Sequence, residues 1–110
     1  MPTHQDQIEL STSGHGDMHN LTDPVTEIVR TSDIEAGLVH VHNVGSTGAV
    51  GTIEFEPGLQ EDLPATTLSP SITVPVGDGA PILGTWQQIF HLECDVKPRD
   101  RTVVVTVRGD

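Results

Sequence analysis

The chain has 110 residues, with 16 acidic residues against five basic ones and a net charge of -11. This length fits one domain over residues 1–110, and 35% hydrophobic residues fit a folded globular protein rather than a disordered one. The charge argues against nucleic acid and anionic membranes as partners, since like charges repel, and no run of 18 apolar residues is present to span a membrane.

The acid-rich, lysine-poor composition is typical of a protein adapted to a salt-rich cytoplasm. Self-repulsion is screened there, because the Debye length falls to about 3 Å at 1 M salt. The alternative is an ordinary acidic cytoplasmic protein. A single cysteine, Cys94, excludes an internal disulfide, and the N-terminus shows no basic and apolar leader. We therefore expect a halophilic, cytoplasmic protein with a buried thiol.

The first half of the chain predicts a weak edge strand, a helix and two strands. Residues 5–11 alternate weakly, and a Ser/Gly/His/Asp loop follows over 11–20. A helix then opens at Thr22-Asp23-Pro24 with a capping side chain followed by proline, and its apolar stripe fades before Gly37. Strands are predicted over 38–44, with Val39 and Val41 on one face, and over 49–55.

The second half predicts mainly strands. Residues 59–63 could hold one helical turn, and a strand over 71–76 ends at a turn, Gly77–Gly79. Two further strands, 87–94 and 101–108, are separated by a polar loop and are expected to form a closing antiparallel pair. Six predicted strands and one good helix indicate an α+β domain with a mainly antiparallel sheet.

Two histidines on one strand face form a candidate metal site. The Cα atoms of His40 and His42 should lie about 6.6 Å apart, so both rings can reach one ion. Glu54, on what we expect to be a neighbouring strand, could supply an oxygen ligand, and imidazole favours a transition metal such as Zn²⁺. The alternative is a pair of half-exposed strand histidines.

Three other patterns carry weaker signals. Glu54 and Glu56 share a strand face, where paired carboxylates bind Mg²⁺ or act as an acid/base pair, unless the face is simply solvated. The turn Gly45–Gly48 could offer backbone N–H groups to a phosphate, although such turns are common. Gly84–Gln88 is more distinctive, since it holds the only tryptophan, which is otherwise explained as a core anchor.

Taken together, several segments resemble the YjbQ family over residues 5 to 109. The C-terminal half carries Ser71–Val76, Gly79, Leu83–Ile89, Pro98-Arg99 and Arg101–Val105, of which Leu-Gly-Thr-Trp-Gln is the most specific part. The N-terminal half carries Asp23–Glu27, Gly45–Thr47, Thr52–Glu54, Pro57–Leu59 and Glu61–Leu63.

The resemblance implies a barrel-like α+β sheet with one or two flanking helices, assembled as a homotrimer. It implies a secondary thiamine-phosphate synthase, which joins a pyrimidine diphosphate to a thiazole phosphate and releases pyrophosphate, and whose activity is typically weak. Such a reaction suggests Mg²⁺ beside the departing phosphates. The resemblance assigns the central carboxylate to Glu54, the site lining to Trp86 and Gln87, and substrate binding to Ser46, Thr47, Glu93 and Arg99.

The chain departs from the family in its middle. Relatives carry a few tens of residues between the positions of Leu63 and Leu68, including a helix and a site histidine, where this chain has only Pro64–Thr67. His40 and His42 are candidates to replace that histidine. The loss also leaves open a second interpretation, a non-catalytic trimer that binds a metal or small ligand and kept only the fold.

Overall fold

The computed structural model describes residues 2–54 and 69–110 of the chain, which form one helix and eight strands in an α+β arrangement. All strand pairs within the two sheets are antiparallel, and together the sheets form a curled half-barrel. The predicted fold class is therefore confirmed. No helix in these two ranges is long and apolar enough to cross a membrane.

The larger sheet has five strands in the order β1-β8-β3-β5-β6. Their bounds are β1 Thr3–Thr12, β3 Gly37–Val44, β5 Ser71–Gly77, β6 Ala80–Pro81 and β8 Arg99–Gly109. On β3, Val39 and Val41 are buried while His40 and His42 are exposed, as the alternation predicted.

The smaller sheet has three strands in the order β2-β7-β4, and one helix contacts β7 of this sheet and β6 and β8 of the larger one. The strands are β2 Met18–Asn20, β4 Gly48–Glu54 and β7 Gln87–Glu93, and the helix α1 is Thr22–Thr31. The helix buries its predicted stripe of Val25, Ile28 and Val29. These residues join the inward side chains of both sheets in one hydrophobic core, which lies inside the half-barrel.

The predicted pairing of the last two strands is wrong. β7 pairs with β2 and β4 in the smaller sheet, and β8 pairs with β1 and β3 in the larger one. The intervening loop therefore crosses between the sheets instead of closing a hairpin. Side-chain bonds between Glu93 and Arg101 connect the two strands across this corner.

The helix start also differs from the prediction. The cap residue is Leu21, and no side chain caps the helix. The Thr22 hydroxyl instead accepts a hydrogen bond from the backbone N–H of Ile89 at 2.9 Å, which ties the helix to β7.

Several strand limits differ as well. β1 is a full ten-residue strand, β2 lies inside the predicted loop, and β8 begins at Arg99 rather than at residue 101. The helical turn predicted over 59–63, and Glu56, lie outside the described residues.

Candidate functional site

An exposed tryptophan lines a groove at one end of the smaller sheet. The groove has a volume of about 520 Å³ and is lined by Thr52, Ile53 and Gly84–Gln87. Trp86 is 73% exposed, so the core-anchor explanation of this residue is wrong. An exposed indole in a concave site offers a flat apolar surface to a ligand.

The Gln87 side chain holds this groove together. Its Oε1 accepts a hydrogen bond from the backbone N–H of Gly84 at 3.0 Å, and its Nε2 donates to the Thr52 hydroxyl at 3.0 Å. Glu54 ends β4 in register with Gln87. The structure therefore places the backbone of Glu54 at the same end of the smaller sheet as Trp86 and Gln87.

The Gly45–Gly48 turn lies at the other end of β4, between the two sheets. It lines a depression of about 300 Å³ together with Ser69, Pro70 and Cys94. Cys94 is half-buried rather than fully buried, and burial raises the pKa of its thiol. Ser46 is exposed beside the depression, and Thr47 is half-buried.

A buried ion pair lies directly below the turn. Glu93 has no exposed surface and Arg101 is 7% exposed. Arg101 donates from Nε to Glu93 Oε1 at 2.8 Å and from Nη2 to Glu93 Oε2, and the hydroxyl of Thr12 donates to Oε1 at 2.5 Å. These bonds lower the pKa of Glu93 to about 2, and the hydrogen bond from Arg101 is the largest cause. Burial acts in the opposite direction and raises the pKa. Arg101 is thus a fixed cation at the base of the turn.

The same guanidinium also holds the turn itself. Arg101 Nη2 donates to the Thr47 hydroxyl at 2.6 Å, and that hydroxyl donates to Asp95 at 3.3 Å. Arg99 pairs with Asp95 at 2.8 Å on the outside of this network. Of the residues assigned to substrate binding, Thr47, Glu93 and Arg99 therefore lie together, and all three are engaged within the chain.

A second buried pair fixes the shape of the turn. Asn43 donates from Nδ2 to the carbonyls of Gly45 and Gly48, at 3.2 and 3.3 Å. Its Oδ1 must then accept from His91 Nε2, which lies 2.9 Å away. Burial lowers the pKa of His91 to about 4, so the imidazole is neutral near pH 7. A Cβ at Gly48 would lie 2.8 Å or less from both of these side chains, so this position requires glycine.

With this geometry established, the comparisons with known proteins decide the family. The model described as "UPF0047 protein YjbQ-like" matches residues 6–67 and 63–110. The chain belongs to the YjbQ family. Its two matched segments meet at residues 63–67, where the sequence had indicated a shortened middle.

Individual relatives agree with this assignment. A UPF0047 protein of Methanothermobacter thermautotrophicus is 30% identical over 136 aligned positions, covering 99% of this chain and 94% of the relative. A UPF0047 protein of Archaeoglobus fulgidus is 33% identical, covering 90% and 97%. The alignment of 136 positions exceeds this chain's 110 residues, so the first relative carries segments that this chain lacks.

Solved structures show the same fold. A YbjQ-like protein of unknown function from Sulfolobus solfataricus superimposes with a TM-score of 0.89 at 27% identity, and 99% of each chain is covered. A hypothetical protein from Aeropyrum pernix gives a TM-score of 0.79 at 28% identity over the whole of both chains.

The site residues carried over from the YjbQ family fall into two groups. Gly48 is opposite Glu93 and Glu54 is opposite Gln87 in the β4–β7 ladder. Six residue-to-residue steps along the strand separate these positions, which corresponds to about 20 Å. Within one copy, the Trp86 groove and the Gly45–Gly48 turn are therefore distinct sites.

The paired histidines lie on neither site. The rings of His40 and His42 stack on the outer face of β3 with centroids 6.4 Å apart, and His40 Nδ1 lies 2.9 Å from the Thr73 hydroxyl. Glu54 is not on a neighbouring strand as expected, because β4 belongs to the other sheet. Within residues 2–54 and 69–110, no three His, Cys, Asp or Glu side chains are grouped to hold a metal.

Sequence reasoning missed Arg101, Asn43, His91 and Thr12. A signal was present for two of them. Asn43 is in phase with the buried Val39 and Val41, and Arg101 is in phase with the buried Val103 and Val105. Polar groups that alternation turns toward a core must find partners there, because burying them without one is costly.

Proposed function

We propose that this member of the YjbQ family is a transferase of the thiamine-phosphate synthase type, joining a pyrimidine diphosphate to a thiazole phosphate and releasing pyrophosphate. The observation that carries the proposal is the Trp86 groove, with the end of β4 at Glu54 beside it. Both substrates contain a flat heteroaromatic ring, and an exposed indole stacks on such rings.

The groove residues have separate roles in this proposal. Trp86 binds a substrate ring, and Glu54 is the acidic group of the site. Both polar atoms of the Gln87 amide bond to Gly84 and Thr52, so Gln87 acts as a positioning residue that fixes the Gly84–Trp86 segment.

The phosphate-binding role falls to the Gly45–Gly48 turn, which is about 20 Å from Glu54 along the ladder. Reacting atoms must approach to about 3–3.5 Å, so the two ends of one copy do not act on one bond. We therefore propose that the groove of one copy works with the turn of a neighbouring copy, in the homotrimer that the resemblance implies.

Mg²⁺ would neutralise charge on the departing pyrophosphate. The described residues do not offer it a ready site: they contain no group of three suitable side chains, and Glu93 and Asp95 are engaged by arginines. Whether the reaction requires Mg²⁺ is tested by omitting the ion.

A Zn²⁺ site at His40 and His42 also stays a prediction, since no third ligand is grouped with them in the described residues. It is tested by measuring the metal content of the purified parent and of His42→Ala.

The test is thiamine phosphate formation by the purified chain in high KCl, with and without Mg²⁺. We expect slow turnover that is lost in Glu54→Ala and reduced about fivefold or more in Trp86→Ala, because stacking on a base is worth about 1–3 kcal/mol. Ile82→Ala is the matched control, since Ile82 is also an exposed apolar residue but lies outside the groove. Equal turnover in the parent and in Glu54→Ala would refute the proposal.

A second candidate is a non-catalytic protein that binds small phosphorylated molecules. Two observations favour it: the shortened middle of the chain, and the pairing of three of the five basic residues with carboxylates. Saturable binding of thiazole phosphate by a folded chain that gives no product would support this candidate over the transferase.

A further inference from the structure

The Gly45–Gly48 turn has the features of a phosphate-binding site, and its cation is Arg101, which the sequence analysis did not identify as a site residue. Arg101 uses Nε and Nη2 for Glu93 and Thr47, whereas its Nη1 makes no hydrogen bond to the described part of the chain. Nη1 is also absent from the buried polar atoms without a partner, so it keeps contact with solvent. The Nη1 end of a fixed guanidinium is therefore free to donate hydrogen bonds to a ligand.

Gly45 determines whether Arg101 Nη1 is accessible to a ligand. A Cβ on Gly45 would lie 2.9 Å from Arg101 Nη1, so any side chain there would cover the nitrogen. Gly45 is exposed, has a φ of 130°, and lines the depression of about 300 Å³. Because Gly45 has no side chain, Nη1 stays uncovered next to a residue that lines the depression.

The backbone of the turn adds further donors. Within the described residues, the N–H groups of Gly45, Ser46 and Thr47 donate no hydrogen bond outside helices and strands. Successive free N–H groups in a turn form concavities that bind anions. Asn43 holds the carbonyls on either side of the turn, so the site is shaped before a ligand arrives.

We propose that the Gly45–Gly48 turn binds a phosphate group of a small phosphorylated molecule. Arg101 Nη1 is the cationic donor, and Gly45 is the residue that keeps this donor accessible. Planar guanidinium groups bind phosphate oxygens through directed N–H bonds, which suits a fixed arginine better than a lysine. The proposal rests on the function proposed above, because it assigns the phosphate-binding part of that site.

Thr47 has a different role from the one implied by the resemblance. Its hydroxyl accepts from Arg101 and donates to Asp95, so it holds the guanidinium in place. Glu93 does the same from below. Both are positioning residues, and the phosphate contacts come from Arg101 Nη1 and the turn backbone.

The test is a titration of the ¹⁵N-labelled chain with pyrophosphate, and separately with inorganic phosphate, at constant ionic strength in KCl. We expect saturable shifts of the amide signals of residues 45–47. Gly45→Ala should weaken binding about tenfold or more, because it covers one charged hydrogen-bond donor. Gly79→Ala is the matched control: Gly79 also has positive φ, 75°, but a Cβ there meets nothing within 4 Å.

A second pair of variants separates charge from geometry. Arg101→Lys keeps the charge and loses the planar donors, and should weaken binding by a similar factor, whereas Arg30→Lys on the helix surface should not. Absent saturation, shifts confined to other residues, or unchanged binding in Gly45→Ala would overturn the proposal. Pyrophosphate binding at residues 45–47 without turnover would keep this site and reject the transferase, and turnover without such binding would do the reverse.

Discussion

His91 should make the protein lose stability in mild acid. Its Nε2 bonds to Asn43, its Nδ1 is buried without a hydrogen-bond partner in the described chain, and its side chain has no exposed surface. Burial is the main cause that lowers the pKa of His91 from 6.5 to about 4; the Glu93 carboxylate opposes this and the Arg101 cation adds to it. The imidazole therefore binds a proton less readily in the folded than in the unfolded chain.

The sign and size of the effect follow from this difference. Below the unfolded pKa of 6.5 the unfolded chain binds one more proton than the folded chain, so the free energy of unfolding decreases as the pH falls toward 4. One proton corresponds to about 1.4 kcal/mol per pH unit, and the interval of about 2.5 units gives about 3 kcal/mol. Glu93, with a folded pKa of about 2, adds a further loss that begins below its usual value of 4.5.

The assay is denaturant unfolding at several pH values between 7.5 and 4 in constant KCl. His91→Gln removes the titrating group and keeps a donor that can reach Asn43, so its free energy of unfolding should change by about 3 kcal/mol less than that of the parent over this range. His42→Gln, on the exposed face of β3, should follow the parent. An equal decrease in the free energy of unfolding of the parent and of His91→Gln between pH 7.5 and 4 would refute the reasoning.

Three further predictions concern stability. Gly109→Ala should lower the free energy of unfolding by about 3 kcal/mol in denaturant unfolding, because its Cβ would lie 2.0 Å from the Ala36 carbonyl oxygen; Gly84→Ala, with no atom nearer than 3.7 Å, should leave it unchanged. Arg101→Met should cost about 3–5 kcal/mol by leaving Glu93 charged and buried, and adding Glu93→Leu should restore much of it; a double variant no more stable than Arg101→Met would contradict this. The melting temperature should rise with KCl up to 1 M, since a net charge of -11 repels itself, and a flat salt profile would argue against the halophilic interpretation.

The strands and the helix could be predicted because their burial follows simple periods. Val39 and Val41 alternate with exposed residues on β3, and Val25 and Val29 share one side of α1. The partners of β7 could not be predicted in this way. Ile89 and Phe90 are both fully buried although they point to opposite faces, so alternation on β7 does not show which face meets the core.

The candidate site was predictable in its residues more than in its geometry. Motif resemblance identified Trp86, Gln87 and Thr47, but spacing along the chain does not show that the first two lie about 20 Å from the third. Arg101 was missed because its partner Glu93 lies on a strand of the other sheet, and only the three-dimensional crossing of β7 and β8 brings the two together.

A mixture of two impaired variants tests most directly whether the groove and the turn of different copies form one transferase site. Glu54→Ala removes the carboxylate at the end of β4, and Gly45→Ala weakens phosphate binding at the turn. After unfolding and refolding them together in equal amounts, about one quarter of the contacts between copies in a cyclic assembly should carry both intact parts. We predict that thiamine phosphate formation returns to about one quarter of the parent rate. A mixture no more active than the average of the two variants alone, beside an active parent, would contradict a site shared between copies.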